Sequence, residues 1–369
     1  MNPSGLTPPD QDQGSKLVRC ARIPGLRALA WDGDVLYASR GYNLLRAKVK
    51  DASTLDWQPV ASFRPSWNRR LSVINRLSAR VFRDGFHALA VLPSRRLVAA
   101  VPGSIVALGP GETEFRQTHA ITRGTRPLHL TAVPGGAVYW GEYFDNSSRD
   151  EVHIYASNEG GLTWSVAYTF PKGAIRHVHN VVHDRWGDYL WILTGDYGDE
   201  CRILRAACDF SQVEVVLQGK QQARAVAAIP TEHALYFSSD TPLEQNYIYR
   251  LDRQGTLSQL AAISSSSIYG CRVGNNLFFS TMVEPSEVNR DHTVRIYAAD
   301  SRMPNHWQSA LEWQKDRWPM GLFQYGNAFL PDGNNETPYL AVTTVAVQSD
   351  DIVTSLYSTP VWSQKTQSE

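Results

Sequence analysis

Cysteine is scarce, with four in 369 residues (Cys20, Cys201, Cys208 and Cys271), and none stands in a CxxC spacing. That excludes a disulfide framework and a cysteine-rich zinc site, and fits free thiols in a reducing compartment. No apolar run approaches the roughly 20 residues needed to span a bilayer, so a membrane-spanning helix is excluded. An excess of one charge is also missing: 36 Lys and Arg stand against 36 Asp and Glu, which argues against a nucleic-acid-coating surface. Residues 1–15 are polar and rich in Pro and Gly and lack the apolar segment of a secretory signal. They read as a disordered leader and 363–369 as a flexible tail, around a single domain over 16–362 with a cytoplasmic location expected. Walker A, GxGxxG, HExxH and GxSxG motifs are absent, which disfavours nucleotide-driven and serine-hydrolase chemistry.

What is abundant is aromatic residues, with 11 Trp and 16 Tyr, while helical periodicity is rare. Short strands should therefore dominate. One apolar strand recurs seven times: Leu36–Ser39, Leu97–Ala100, Val138–Gly141, Leu190–Leu193, Leu235–Ser238, Leu277–Ser280 and Tyr339–Val342. The copies stand about 50 residues apart, a spacing typical of repeat architectures. An apolar strand precedes each copy, as in Phe86–Leu92 and Ala223–Ile229. A third strand follows, as in Val152–Tyr155, Tyr247–Arg250 and Val294–Tyr297, and then a fourth, as in Trp164–Phe170. Four antiparallel strands repeated seven times predict an all-β, seven-bladed β-propeller. The last unit lacks an outermost strand and Lys16–Arg22 lacks a partner, so that segment is expected to close the ring. A β-sandwich or two smaller β domains would also give short alternating strands; the even spacing and the spare N-terminal strand favour the propeller.

Between the third and fourth strands of the third unit lies Ser157-Asn158-Glu159-Gly160-Gly161-Leu162-Thr163-Trp164. It resembles the Asp-box, or BNR repeat, of sialidase-like propellers, Ser-x-Asp-x-Gly-x-Thr-Trp, with Glu159 in place of the Asp. The stretches Gly141–Phe144, Arg176–His179 and Trp191–Asp196 look similar to uncharacterised bacterial BNR-type proteins. The resemblance implies an architectural turn and, loosely, a glycan context. The sialidase arginine clamp and Tyr-Glu nucleophile pair have no residue-by-residue counterpart here.

A propeller sends its second-to-third-strand loops and its inter-blade loops to one face. Reading the ends of the second strands gives Arg40, Glu142, Asp196, Asp240 and Glu284; reading the starts of the first strands gives His87, Arg176, His177, His179, Arg224 and Tyr269. These form the candidate site, with Trp140 and Tyr143 as rings that can stack on sugars. Each acid taken alone also fits a solvated turn, and each His a hydrogen-bonded core residue. His177 and His179, two apart on a strand, can face one way and share a substrate or a divalent metal; no other cofactor is expected. The long connection after the first unit carries Arg64, Arg69, Arg70, Arg76, Arg80 and Arg83, with Leu71, Ile74, Leu77 and Val81 at helical spacing. It reads as an amphipathic helix whose arginines suit a carboxylate or phosphate, or as a solvated face or subunit contact.

Three functions follow as expectations. The first is glycoside hydrolysis of an acidic oligo- or polysaccharide, with Glu142 and Asp196 or Asp240 as the carboxylate pair. The second is a uronate lyase, with His177 or His179 as base, Tyr269 as acid and an arginine to stabilise the anion; Arg69, Arg70, Arg76, Arg176 and Arg224 would bind the substrate. The third is a non-catalytic propeller that binds glycan or protein on the same face. Neither a nucleic acid nor a membrane is an expected partner, and the sequence leaves the oligomeric state open.

Overall fold

A computed structural model of the chain describes residues 17–66, 69 and 84–359. The leader, the tail, and Arg70, Arg76, Arg80 and Arg83 with the expected helix over 71–81 lie outside the described residues. No helix among the described residues is long and apolar enough to cross a membrane.

Seven sheets surround a central channel. Strand β1 (Val18–Pro24) is followed by blade one, with β2 (Arg27–Gly33), β3 (Val35–Arg40), β4 (Asn43–Lys48) and β5 (Gln58–Ser62). Blade two holds β6 (Ala88–Val91), β7 (Leu97–Val101), β8 (Ser104–Leu108) and β9 (Arg116–Ala120). Blade three holds β10 (Thr131–Ala132), β11 (Val138–Gly141), β12 (Val152–Ser157) and β13 (Ser165–Phe170). Blade four holds β14 (His177–Asp184), β15 (Tyr189–Gly195), β16 (Arg202–Ala207) and β17 (Val213–Gln218). Blade five holds β18 (Ala225–Pro230), β19 (Ala234–Ser239), β20 (Tyr247–Asp252) and β21 (Leu257–Ala262). Blade six holds β22 (Ser267–Val273), β23 (Asn276–Thr281), β24 (Thr293–Asp300) and β25 (Gln308–Gln314). Blade seven has β26 (Asn327–Phe329), β28 (Tyr339–Val345) and β29 (Val353–Ser358), completed by β1.

All seven recurring apolar segments are second strands. Both faces of such a strand meet neighbouring blades, which is why they read as continuous apolar runs: Leu190, Ile192 and Leu193 are fully buried. Side chains of this size each contribute about 1.5–3 kcal/mol on burial. The core divides into seven clusters, one for each blade-to-blade interface. Closure occurs as expected, with β1 antiparallel to β29 from Val18 opposite Ser358 to Pro24 opposite Val353. Asp350 of blade seven pins it by accepting from Arg19 at 2.6 Å and Arg22 at 2.7 Å.

Blade one departs from the four-strand pattern. The connection between β26 and β28 forms β27 (Asp332–Asn335), which pairs in parallel with β2 as a fifth, innermost strand. Gly333 permits it: its φ is +89°, and a Cβ there would stand 2.2 Å from the Trp31 carbonyl oxygen.

The Ser157–Trp164 turn joins β12 to β13. Ser157 Oγ accepts from the Gly161 amide at 2.8 Å, Thr163 donates to Glu159 at 2.8 Å, and Trp164 donates to Thr118 at 3.2 Å. This holds the turn against blade two, an architectural role.

Candidate functional site

The innermost strands of blades four, five and six each carry a register irregularity at their start: Val178/Asn180 in β14, Ala225/Ala228 in β18 and Ser267/Tyr269 in β22. Bulges of this kind re-aim side chains at the rim of a sheet. In β14 the irregularity sits at His179, and both histidines come to face the end of β15, where Asp196 follows the last strand residue. His177 Nε2 and His179 Nε2 lie 3.1 Å apart, and each lies 3.4 Å from Asp196 Oδ1. All three residues are buried. Gly195 makes the room: a Cβ there would stand 2.7 Å from the His179 ring.

Two arginines and further acids surround this centre. Arg176 donates to Asp196 at 3.2 Å and to Asp145 at 2.6 Å. The Arg224 guanidinium lies 3.3 Å from Asp196 and 3.6 Å from Asp240. Asp240 Oδ1 is buried with no hydrogen-bond partner among the described residues. The Tyr143 ring packs 4.2 Å from the His177 ring, and Arg224 lies 5.9 Å over exposed Tyr197. Gln221 holds the Asp196 carbonyl at 3.1 Å and accepts from Thr241 at 2.6 Å.

The electrostatics follow from burial among these charges. Burial, then Asp240, push the Glu284 carboxyl up to about 6, with Arg224 opposing. Burial first, then Asp240 and Asp196, push the Tyr143 hydroxyl up to about 12. Burial also lowers His177, although Asp196 pulls the other way.

Thus His177, His179, Asp196, Asp240, Glu284, Arg176, Arg224 and Tyr143 come together from blades three to six. Other residues expected beside them do not. Glu142 is buried, but Arg123 clamps both of its carboxylate oxygens and the His153 amide donates to it at 2.8 Å, so it belongs to a structural ion pair. Trp140 is a core residue, stacked on Tyr155 at 4.4 Å with no face left for a sugar. Arg40 ends β3, exposed on blade one, and Arg69 pairs with Asp84 at 2.9 Å.

His87 and Tyr269 join a different group in the channel, with Arg27, Arg126, His129, Phe329 and Asp332. Arg27 donates to the His87 carbonyl at 3.3 Å and lies 4.1 Å over Phe329, while His129 meets Asp332 at 3.2 Å. Tyr269 stands 5.0 Å from Phe329 and 6.0 Å from His129. Burial first, then the charges of Arg126 and Arg27, hold His87 well below its ordinary range.

The sequence reading missed Asp145, Arg123, Tyr197 and Gln221. Asp145 sits three residues past the acid that ends the second strand, a signal within reach. The Arg123 and Gln221 partnerships span separate loops and leave no local spacing to read.

No family model matches the chain, and no curated protein matches it. Among solved structures, a chain of a mitotic checkpoint complex superposes with a TM-score of 0.58 at 11% identity, covering 97% of this chain and 96% of that one. The WD40 β-propeller domain of Doa1 gives a TM-score of 0.58 at 11% identity, covering 94% and 97%. At such identity the likeness is one of fold alone, and a propeller fold does not dictate chemistry.

Proposed function

We propose that this chain is a non-catalytic binding propeller that docks a protein segment, basic residues interleaved with apolar ones, over the mouth formed by blades three to six. One observation carries the reading. The second-to-third-strand loops of blades four, five and six each present an exposed large apolar side chain on the same face: Tyr197 at 45% exposure, Leu243 at 56% and Val288 at 39%. Trp318 and Leu322 are also exposed, on the inter-blade connection of that face. Contiguous exposed apolar surface rimmed by polar groups is typical of interaction sites.

Charge supports the sign of the partner. Loop segments 142–151, 196–201, 240–246 and 282–292 contain twelve Asp and Glu against two Arg. Asp199, Glu244 and Glu287 are exposed there with no ion-pair partner among the described residues. The acidic-glycan readings lose their cationic contacts, because Arg176 and Arg224 are already engaged by Asp145, Asp196 and Asp240. A hydrolase needs a carboxylate pair; Glu142 is held by Arg123 and Asp196 by Arg176 and Arg224, which leaves Asp240 beside Glu284, with the Arg224 guanidinium 3.6 Å from Asp240. The Ser157–Trp164 turn supports an Asp-box-like ancestry for one turn and adds no chemistry.

The test is fluorescence anisotropy of the full chain with a labelled Lys/Leu peptide, its Glu/Leu counterpart and an oligogalacturonate. The expected result is preference for the basic peptide, weaker as salt rises because exposed charges are screened over about 8 Å at physiological salt. Replacing Leu243 and Val288 together by Ser should weaken it about tenfold, the scale of one lost apolar anchor. Preference for the oligogalacturonate, or release of new reducing ends or unsaturated uronate from it, would overturn the reading.

A further inference from the structure

The centre of the mouth holds a second feature that protein docking does not explain. His177 Nδ1 lies 3.2 Å from the Phe144 carbonyl oxygen and His179 Nδ1 2.9 Å from the Ala225 carbonyl oxygen. A carbonyl only accepts, so each Nδ1 carries the ring proton and each Nε2 presents a lone pair. Two lone pairs 3.1 Å apart therefore face each other, and both face a carboxylate oxygen at 3.4 Å. Three acceptors converge with no donor between them.

Their spacing defines a position. Atoms 3.1, 3.4 and 3.4 Å apart lie on a circle of radius about 1.9 Å, so an ion at the usual metal–ligand distance of about 2.1 Å sits about 0.9 Å out of their plane. That is a three-ligand cap. We infer that His177, His179 and Asp196 bind one divalent first-row transition ion, held by two imidazole nitrogens and one carboxylate oxygen.

The donor set selects the class. Two imidazoles and a carboxylate suit zinc, iron(II) or cobalt(II) and not calcium or magnesium, which take oxygen shells. The backbone carbonyls behind each imidazole are the supporting bonds that metal-ligating histidines use. Arg176 and Arg224 oppose a cation here and each also contacts Asp196, at 3.2 and 3.3 Å, but Asp145 and Asp240 share their charges, so the Asp196 carboxylate would be shared between the arginines and the ion. The unpartnered Oδ1 of Asp240 is a second unmet acceptor in the same pocket. A proton shared between the imidazoles is the competing state; it satisfies two of the three acceptors, and an ion satisfies all three.

The test is titration of chelator-stripped full chain with zinc, cobalt(II) and calcium by calorimetry, with the cobalt visible spectrum recorded alongside. One equivalent of zinc or cobalt should bind and calcium should not, with a cobalt spectrum of nitrogen and oxygen ligation. His177→Ala, His179→Ala and Asp196→Asn should each weaken binding by more than about 100-fold, since loss of supporting bonds alone costs about 10–100-fold. His183, Asp188 and Cys208 form another group with ligand atoms within 4.8 Å of one another, so His183→Ala and Cys208→Ser serve as controls and should change nothing. No binding by the wild-type chain would overturn the inference, leaving a shared proton. A thiolate-to-cobalt charge-transfer band would also overturn it by placing the ion at Cys208, a readout that needs no folded variant.

Discussion

The Arg224 guanidinium stands between two buried carboxylates, 3.3 Å from Asp196 on blade four and 3.6 Å from Asp240 on blade five. This one side chain ties adjacent blades at the mouth and turns what reads in the sequence as a free cation into an internally neutralised group. A buried charge that loses its partner costs about 3–5 kcal/mol. Arg224→Met should therefore lower stability by several kcal/mol in a denaturant titration, and restoring charge with Arg224→Lys should recover only part, because a lysine cannot reproduce the planar fork between two carboxylates.

Gly195 gives a sharper test of the site's packing. Its Cβ position lies 2.7 Å from His179 Cε1 and 3.2 Å from Arg224 Cγ. Gly195→Ala must displace the imidazole, and overpacking of this kind costs about 1–3 kcal/mol. The expected outcome is that loss of stability together with a changed His179 ring environment in NMR. An unchanged His179 signal would contradict the packing described.

On the opposite face, fully buried Asp184 accepts from Arg253 at 2.6 Å and from the Trp191 indole at 2.9 Å. Asp184→Ala should cost about 3–5 kcal/mol by stranding Arg253, without altering ligand binding at the mouth. Measuring both in the same variant separates scaffold from site.

Ring closure carries a pH signature. Asp350 is lowered from its ordinary range: burial opposes its charge, and Arg22 and Arg19 outweigh that. A lowered carboxyl contributes stability that is present above the unfolded value near 3.9 and lost as pH falls through the folded value. Both arginines are about half exposed, so the pair is worth only about 0.2–1 kcal/mol. Asp350→Asn should thus lower stability slightly at pH 7 and not at all at the acid end. Deleting residues up to 24 should cost far more, because it unpairs β29 along its length; deletion up to 14 should be silent. Equal stability of the two truncations would contradict closure by β1.

The fold was legible because the second strands are buried on both faces and so stay apolar in every unit, whatever the loops do. The spare N-terminal segment was legible for the same reason, as a strand without a sheet. The fifth strand of blade one was not: Asp332–Asn335 is polar, and it is held by backbone pairing and the Gly333 approach instead of an apolar pattern. Within the site, topology placed His177, His179, Asp196, Asp240 and Glu284 on one face from sequence alone. Glu142 sits at the same topological position, yet Arg123 claims it from the preceding inter-blade loop. His87 and Tyr269 lie on innermost strands or their starts, but their partners come from blades one, three and seven.

Glu284 supplies a handle on the charge of the mouth. Its carboxyl, pushed up to about 6, is charged at pH 7.5 and neutral at pH 5. The folded form holds its proton more tightly than the unfolded chain does, so this group adds stability as pH falls from above 6 toward 4.5. Its charge, which attracts a basic segment, is lost over the same range. Affinity for the Lys/Leu peptide should fall between pH 7.5 and 5 in the wild type, and Glu284→Gln should flatten that dependence while weakening binding at pH 7.5.

The most direct measurement is amide hydrogen exchange on the full chain with and without the bound Lys/Leu peptide. Protection should concentrate in 196–201, 240–246 and 282–292, the loops carrying Tyr197, Leu243 and Val288, with no change around Trp186 and Met303 on the opposite face. Protection confined to that opposite face, or spread along the outer strands, would contradict docking at the mouth of blades three to six.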